Sequence, residues 1–367
     1  MTKFNHFFSL IILSALLLSL TSCLNDKSDD VVKPTEPVLV TAGMFILNEG
    51  NSFASIDGSL SYLGYPMNLY SSYTVTQNCF QSVNGKSIGS TPNDICLAQG
   101  FVIIPVTDDN IVWVLNNDLT IKTQLPITQP RKVVAIGQKI YITSYDGKVY
   151  CYDLKTGAIK TSEVIGDCLE DITVCNQYLY VCNAYSVNGN EYTYNTNVVK
   201  LDTASLAKIG DVTVTCNPTQ IETDGEYVYL LSSGNDDDVS PYIQRIDASD
   251  NVRPLCEATY FTVGGDNLYC ITSPIDGSPC SYNVYNLKTG TTSMFTDGID
   301  INYPFGIAYD DVNEIIYIAA GYLSEYGFGD YSRAGYVVQY DLAGVKHGIF
   351  GVGVVPKVMA PNKFWVY

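Results

Sequence analysis

Histidine is nearly absent from this 367-residue chain, His6 and His347 being the two present. A site built on several histidines is thereby excluded, and a Ser/His/Asp triad would have to use His347. That residue lies in Val345-Lys346-His347-Gly348 without an evident partner and reads as a surface residue of a late strand or turn. No Cys-x-x-Cys occurs; the closest cysteines, Cys168, Cys175 and Cys182, stand seven apart, unlike paired zinc ligands. No metal and no cofactor is expected, and the chain does not read as an enzyme. The remaining catalytic alternative is a carboxylate-based lyase or hydrolase, but Asp108-Asp109, Asp236-Asp237-Asp238 and Asp310-Asp311 read first as turn residues. The second run also lacks the ligand spacing of a calcium loop. Basic residues are scarce too, 20 against 38 acidic ones, for a formal charge of −18. So acidic a chain excludes nucleic acid and charge-driven docking on anionic lipid, both of which need Lys/Arg patches. No convincing eleven-residue helical stripe is found either.

The single long apolar run is at the start. Lys3 precedes a run over 7–20 that is short for a bilayer span, and Leu20-Thr21-Ser22-Cys23 follows. The tetrapeptide resembles a bacterial lipobox, which implies cleavage before Cys23 and lipidation of its thiol. Residues 1–22 are therefore expected to be a lipoprotein signal peptide and 23–39 the lipid anchor and a flexible tether. The acidic tether Asn25-Asp26-Lys27-Ser28-Asp29-Asp30 resembles the surface-export signal of Bacteroidetes lipoproteins. That resemblance implies lipid anchorage in the outer membrane, facing the cell exterior, with the membrane touched only through the anchor.

From residue 40 onward, Val/Ile/Tyr-rich runs of four to six residues alternate with Gly, Asn, Asp and Pro clusters, which predicts an all-β domain over 40–367. The chain also repeats itself. Pro130-Arg131-Lys132-Val133-Val134-Ala135-Ile136-Gly137-Gln138-Lys139-Ile140-Tyr141 returns, type for type, as the closing Pro356-Lys357-Val358-Met359-Ala360-Pro361-Asn362-Lys363-Phe364-Trp365-Val366-Tyr367. Equivalents of Pro130 fall at Pro92, Leu169, Pro218, Ala258, Pro304 and Pro356, 38 to 52 residues apart. A second strand follows each, marked by Ile103, Tyr141, Tyr180, Tyr229, Tyr269, Tyr317 and Tyr367. Four strands per unit of this length predict a β-propeller of seven blades, eight being the alternative, closed by pairing of N- and C-terminal strands. Each copy of the phrase reads as strand, turn and second strand. On that reading Phe45 and Tyr367 compete for one place in the closing blade.

The blade phrases, with Gly43-Met44-Phe45-Ile46-Leu47-Asn48-Glu49-Gly50-Asn51 and Gly58-Ser59-Leu60-Ser61-Tyr62, resemble the YncE-like, YVTN-type propellers and their Bacteroidetes lipoprotein members. One branch implied by the resemblance binds cobalamin at the cell surface and feeds TonB-dependent transporters. No ligand motif of that branch is matched here by residue.

Alternation of strand direction puts the connection after each second strand at the same end as the start of each innermost strand. That connection is expanded at 48–58, 183–197, 232–241, 273–280 and 320–335 relative to the compact Ser144-Tyr145-Asp146-Gly147. Candidate ligand-binding residues in these connections are Asn48, Glu49, Phe53, Tyr145, Tyr185, Tyr192, Tyr194, Tyr242, Tyr322, Tyr326 and Tyr331, since tyrosine gives contact area at low entropic cost. Loops folded onto themselves would use the same tyrosines. The starts of the innermost strands add Asn93, Asp94, Arg131, Glu170, Asp171 and Gln220, a mixed ring at the mouth of the central channel.

The function expected is capture of a nutrient or cofactor, cobalamin-like or a glycan, for a TonB-dependent outer-membrane transporter. A protein-interaction or adhesion module is the alternative. The ten cysteines after Cys23 read as small buried hydrophobes more readily than as disulfides.

Overall fold

The computed structural model describes residues 36–66, 72–235, 237–273 and 278–366. The leader, Cys23, most of the tether, Asp236 and Tyr367 lie outside the described residues. Residues 40–364 form one compact unit, and 36–39 with 365–366 fall in a separate one, where 38–39 and 365–366 are extended.

Seven four-stranded antiparallel sheets make a seven-bladed propeller. Six blades are consecutive meanders, over 96–126, 130–161, 168–213, 218–257, 260–296 and 303–354. The seventh takes its innermost strand, Pro356–Val366, from the C-terminal end and its outer three, Val38–Asn48, Ser59–Gly64 and Thr74–Thr76, from the N-terminal side. Of the two residues set against each other for the second-strand place, Tyr367 lies outside the described residues. Pro361-Asn362 makes no turn: one strand runs extended from Pro356 through Val366. Phe45 keeps the second-strand place, paired with Tyr62 of the third strand. The one α-helix among the described residues, Cys79–Asn84, buries Cys79 and Phe80 between the seventh and first blades.

The second strands are buried on both faces because blades pack face to face, and this is where tyrosine does its structural work. Tyr141, Tyr180, Tyr229, Tyr269 and Tyr317 are among the largest fully buried side chains. Each ring fills the seam while its hydroxyl must find a partner. Tyr141 donates to the Thr203 carbonyl at 2.9 Å and Tyr180 to Asp250 at 3.3 Å, each partner lying in the last turn of the next blade. Tyr317 reaches the Tyr65 hydroxyl at 2.6 Å in the same way.

The innermost strands are tied by carboxylates. Asp94 accepts the Val133 N–H of the second blade at 2.9 Å, Asp171 the Ile221 N–H of the fourth at 3.0 Å, and Glu222 the Val263 N–H of the fifth at 2.8 Å. Inner-edge amides have no strand beside them, so these bonds satisfy donors that would otherwise be orphaned. At the sixth-to-seventh seam Gly306 does the opposite and yields space, since a Cβ there would collide with the Lys357 carbonyl.

All ten described cysteines are free thiols, six of them buried. His347 is exposed and lies 3.1 Å from Asp341 at the start of an outermost strand. Asp310, read as a turn residue, is fully buried and accepts from Thr41, Tyr65 and Asn313.

Deleting residues 357–367 removes the innermost strand of the closing blade, and its Tm is expected to fall by ~10 °C or more. Unchanged melting of the truncated chain would refute the closure. Burial lifts the Asp171 carboxyl to about 6 and that of Glu222 to about 7, with Asp171 adding to the latter. Both exceed the unfolded values of about 4, so the native state binds extra protons. Their contribution is complete below about pH 4 and is lost as pH rises through about 6 to 7. Tm measured at about pH 5 and pH 8 should fall with rising pH, and less so in Glu222→Gln. An equal fall in that variant contradicts the assignment.

Candidate functional site

At the mouth of the channel the starts of the second and third blades meet through an ion pair. Arg131 donates from Nε and Nη2 to Glu170 Oε2 at 3.1 and 2.8 Å, and Tyr145 donates its hydroxyl to Glu170 Oε1. The guanidinium also lies 4.6 Å from the centre of the Tyr145 ring. Burial works against the charge on Glu170, but Arg131 and the Tyr145 hydroxyl outweigh it and hold the carboxyl below its ordinary value. Burial likewise opposes the charge on Arg131, and Glu170 outweighs it, so the guanidinium titrates above its ordinary value. The pair stays fully ionised at neutral pH.

Tyrosines continue outward from it. Tyr145 meets Tyr185 edge-on at 6.0 Å, and Tyr185 meets Tyr192 at 5.7 Å. The expected loop over 183–197 is instead an extension of the blade: strands Tyr178–Asn188 and Glu191–Asp202 run on into a hairpin. The alternating Tyr, Thr and Val residues simply continue pairing, Tyr185 opposite Tyr194 and Val187 opposite Tyr192, which puts all four on one face. Tyr192 is 66% exposed at its tip.

A second ion pair comes from the seventh blade, where Lys357 Nζ lies 2.6 Å from Glu49 Oε2. Its charges are felt across the mouth, Lys357 favouring ionised Glu170 and Glu49 favouring protonated Arg131. Beside it stands an aromatic group: Tyr331 donates to the Tyr303 hydroxyl at 3.4 Å, and Phe305 meets both rings at 5.4 Å. Tyr260 belongs to this side, its hydroxyl pushed up to about 12 by burial and by Tyr303. Tyr260 and Tyr303 are absent from the sequence-derived set. Their signal was position, within two residues of the markers Ala258 and Pro304.

Other candidates serve the fold. Asn48 is fully buried, donating to Ser59 and Ser61 and accepting the Gly353 N–H. Asn93 is buried against Thr91 and Thr107, Asp94 and Asp171 are the latches described above, and Gln220 donates to the Phe261 carbonyl at 2.7 Å. Tyr242 opens a third strand opposite Ser232 rather than lying in a loop. Tyr322 is covered by the Arg333 guanidinium at 3.6 Å and packs on Tyr336, which makes that part of the connection self-folded. Phe53 and Tyr326 stand free in solvent at 103% and 77% exposure, joined in this by Phe328. In the connection at 232–241, Asn235 accepts the N–H groups of Asp238 and Val239, an ordinary turn. Residues 274–277 of the connection at 273–280 lie outside the described residues.

A closed ring of blades with a charged, tyrosine-lined mouth at one end defines a β-propeller binding module, for a ligand or a protein. No protein-family model matches the chain, and no curated sequence does. Solved structures do match. Apo AztD from Citrobacter koseri aligns with TM-score 0.54 at 13% identity, over 89% of this chain and 99% of that one. Kuenenia stuttgartiensis hydrazine synthase aligns with TM-score 0.53 at 17% identity, over 68% and 76% of the two chains. The Neurospora crassa Pan2 WD40 domain gives 0.52 at 8% identity, over 77% and 82%. At these identities the likeness speaks to the fold alone.

Removing one member of the buried pair strands the other. Arg131→Ala should therefore lower stability by about 3 kcal/mol, whereas Arg131→Met with Glu170→Leu should recover most of it. A cycle in denaturant unfolding that is additive to within ~0.5 kcal/mol would contradict the coupling.

Proposed function

We propose that this propeller is a ligand-capture lipoprotein, anchored through Cys23 in the outer membrane and facing the cell exterior. The carrying observation is the channel mouth, where Arg131–Glu170 and Lys357–Glu49 stand among Tyr145, Tyr185, Tyr260, Tyr303 and Tyr331. Fixed charges beside aromatic faces suit a polar, ring-containing small molecule, because rings stack on tyrosine while its polar groups meet the ion pairs. A cobalamin-like cofactor and a glycan both have that character. A TonB-dependent outer-membrane transporter is the recipient we assign to it.

The alternative, a protein-interaction module, is favoured by one specific observation. Phe53, Tyr326 and Phe328 are exposed beyond what small-molecule stacking at the mouth would use. The two readings separate by mutation. In a thermal-shift and calorimetric screen of corrinoids and glycans, Tyr192→Ala and Tyr331→Ala should weaken binding about tenfold with Tm within ~2 °C of the parent. Tyr326→Ala with Phe53→Ser should leave small-molecule binding intact. Silence of the whole screen would count against capture of either ligand class.

A further inference from the structure

We propose that Cys256 and Cys270 form a reversible disulfide that staples the fourth blade to the fifth. Cys256 is next to last in the fourth blade's outermost strand, Val252–Glu257, opposite Ile243. Cys270 lies in the fifth blade's second strand, Asn267–Thr272, between Phe261 and Asn283. Face-to-face packing of the two blades brings the sulfurs to 3.9 Å, van der Waals contact between groups on different sheets. Cys79, Cys175 and Cys280 instead set their sulfurs against the Thr76 carbonyl, the Gly225 carbonyl and the Ser273 hydroxyl.

The two thiols are unequal, which gives the chemistry a direction. Cys270 is buried at 4% exposure among Tyr229, Leu231, Ile243, Ala258 and Tyr285, whereas Cys256 is half-buried and reachable. The S–H of Cys270 donated to the Cys256 sulfur favours the Cys256 thiolate and holds its pKa below the ordinary thiol value. The same bond, with burial, pushes the Cys270 thiol up. Cys256 thiolate therefore attacks an external low-molecular-weight disulfide, forming a mixed disulfide and releasing one thiolate. Cys270 then gives up its proton and attacks the Cys256 sulfur, expelling the second small thiolate. The balance is two protein thiols oxidised to one disulfide and one small disulfide reduced to two thiols. Little chain movement is needed, because the sulfurs already touch.

The test is peptide mapping of the full chain after exposure to oxidised glutathione and trapping of remaining thiols by alkylation. The expected product is a peptide linked through Cys256 and Cys270, smaller in mass by two hydrogens and reversed by dithiothreitol. Its formation should raise the Tm of the parent chain and leave Cys256→Ser and Cys270→Ser unaffected. Should either variant misfold, the map of the parent chain decides alone. Full alkylation of both cysteines after oxidant, or accumulation of glutathione on Cys256 with Cys270 still free, would overturn the proposal.

Discussion

The inner edge of a ring of sheets is the constraint on which this structure depends. Each innermost strand has a blade partner on one side only, and its other edge faces a channel where no strand can add. Unpaired amides at that depth must be answered by side chains or water. Here carboxylates answer them, each reaching to the next blade, as Asp94, Asp171 and Glu222 do for Val133, Ile221 and Val263. One bond thus does two tasks, satisfying an edge and fixing the angle between blades. The cost is visible in Asp171 and Glu222, whose charges burial disfavours. Acids that a surface reading would assign to ligand are spent on holding the ring.

At the opposite end of the second strands tyrosine performs a parallel task. A phenylalanine would fill the seam between blades as well, but it could not reach the last turn of the neighbouring blade with a hydrogen bond. Tyr141, Tyr180 and Tyr317 do both. Much of the tyrosine excess is therefore architectural. What remains is concentrated at the mouth and on the hairpin tip of the third blade.

This division explains which parts of the molecule were legible from sequence. The period and the second-strand tyrosines were, because a repeated packing problem recruits the same residue at the same offset. Ring closure was legible, but its strand count was not: Pro361-Asn362 carries turn chemistry, yet the segment runs as one strand from Pro356 through Val366. At the site, Arg131, Tyr145, Glu170 and Tyr185 were found by position and do converge. Asp94 and Asp171 stand one residue further along, two past the markers Pro92 and Leu169, and bond to backbone. A carboxylate one residue past the marker, Glu170, meets the Arg131 side chain, and those two past it meet an amide of another blade, a distinction the sequence reading did not draw. Tyr260 and Tyr303 were missed for another reason, since the fifth blade's phrase, like the third's, lacks the marking proline and Tyr303 precedes its own.

The pairing of charges at the mouth also bears on how a ligand is chosen. Arg131 and Glu170 are already mutually satisfied, and pulling them apart to serve a ligand would leave a buried charge exposed to an apolar surround. A ligand that binds there must keep the pair intact and use the donors and acceptors left over, such as Nη1 of Arg131, whose contact with Thr107 Oγ1 is a long 3.5 Å. The remaining polar sites are few and fixed, whereas the aromatic surface around them is broad. On the capture reading proposed above, selectivity on this face would come from the shape of a ring system fitting between Tyr145 with Tyr185 on one side and Tyr260 with Tyr303 on the other. On the same reading the two ion pairs would act against molecules too strongly ionic to leave either pair closed.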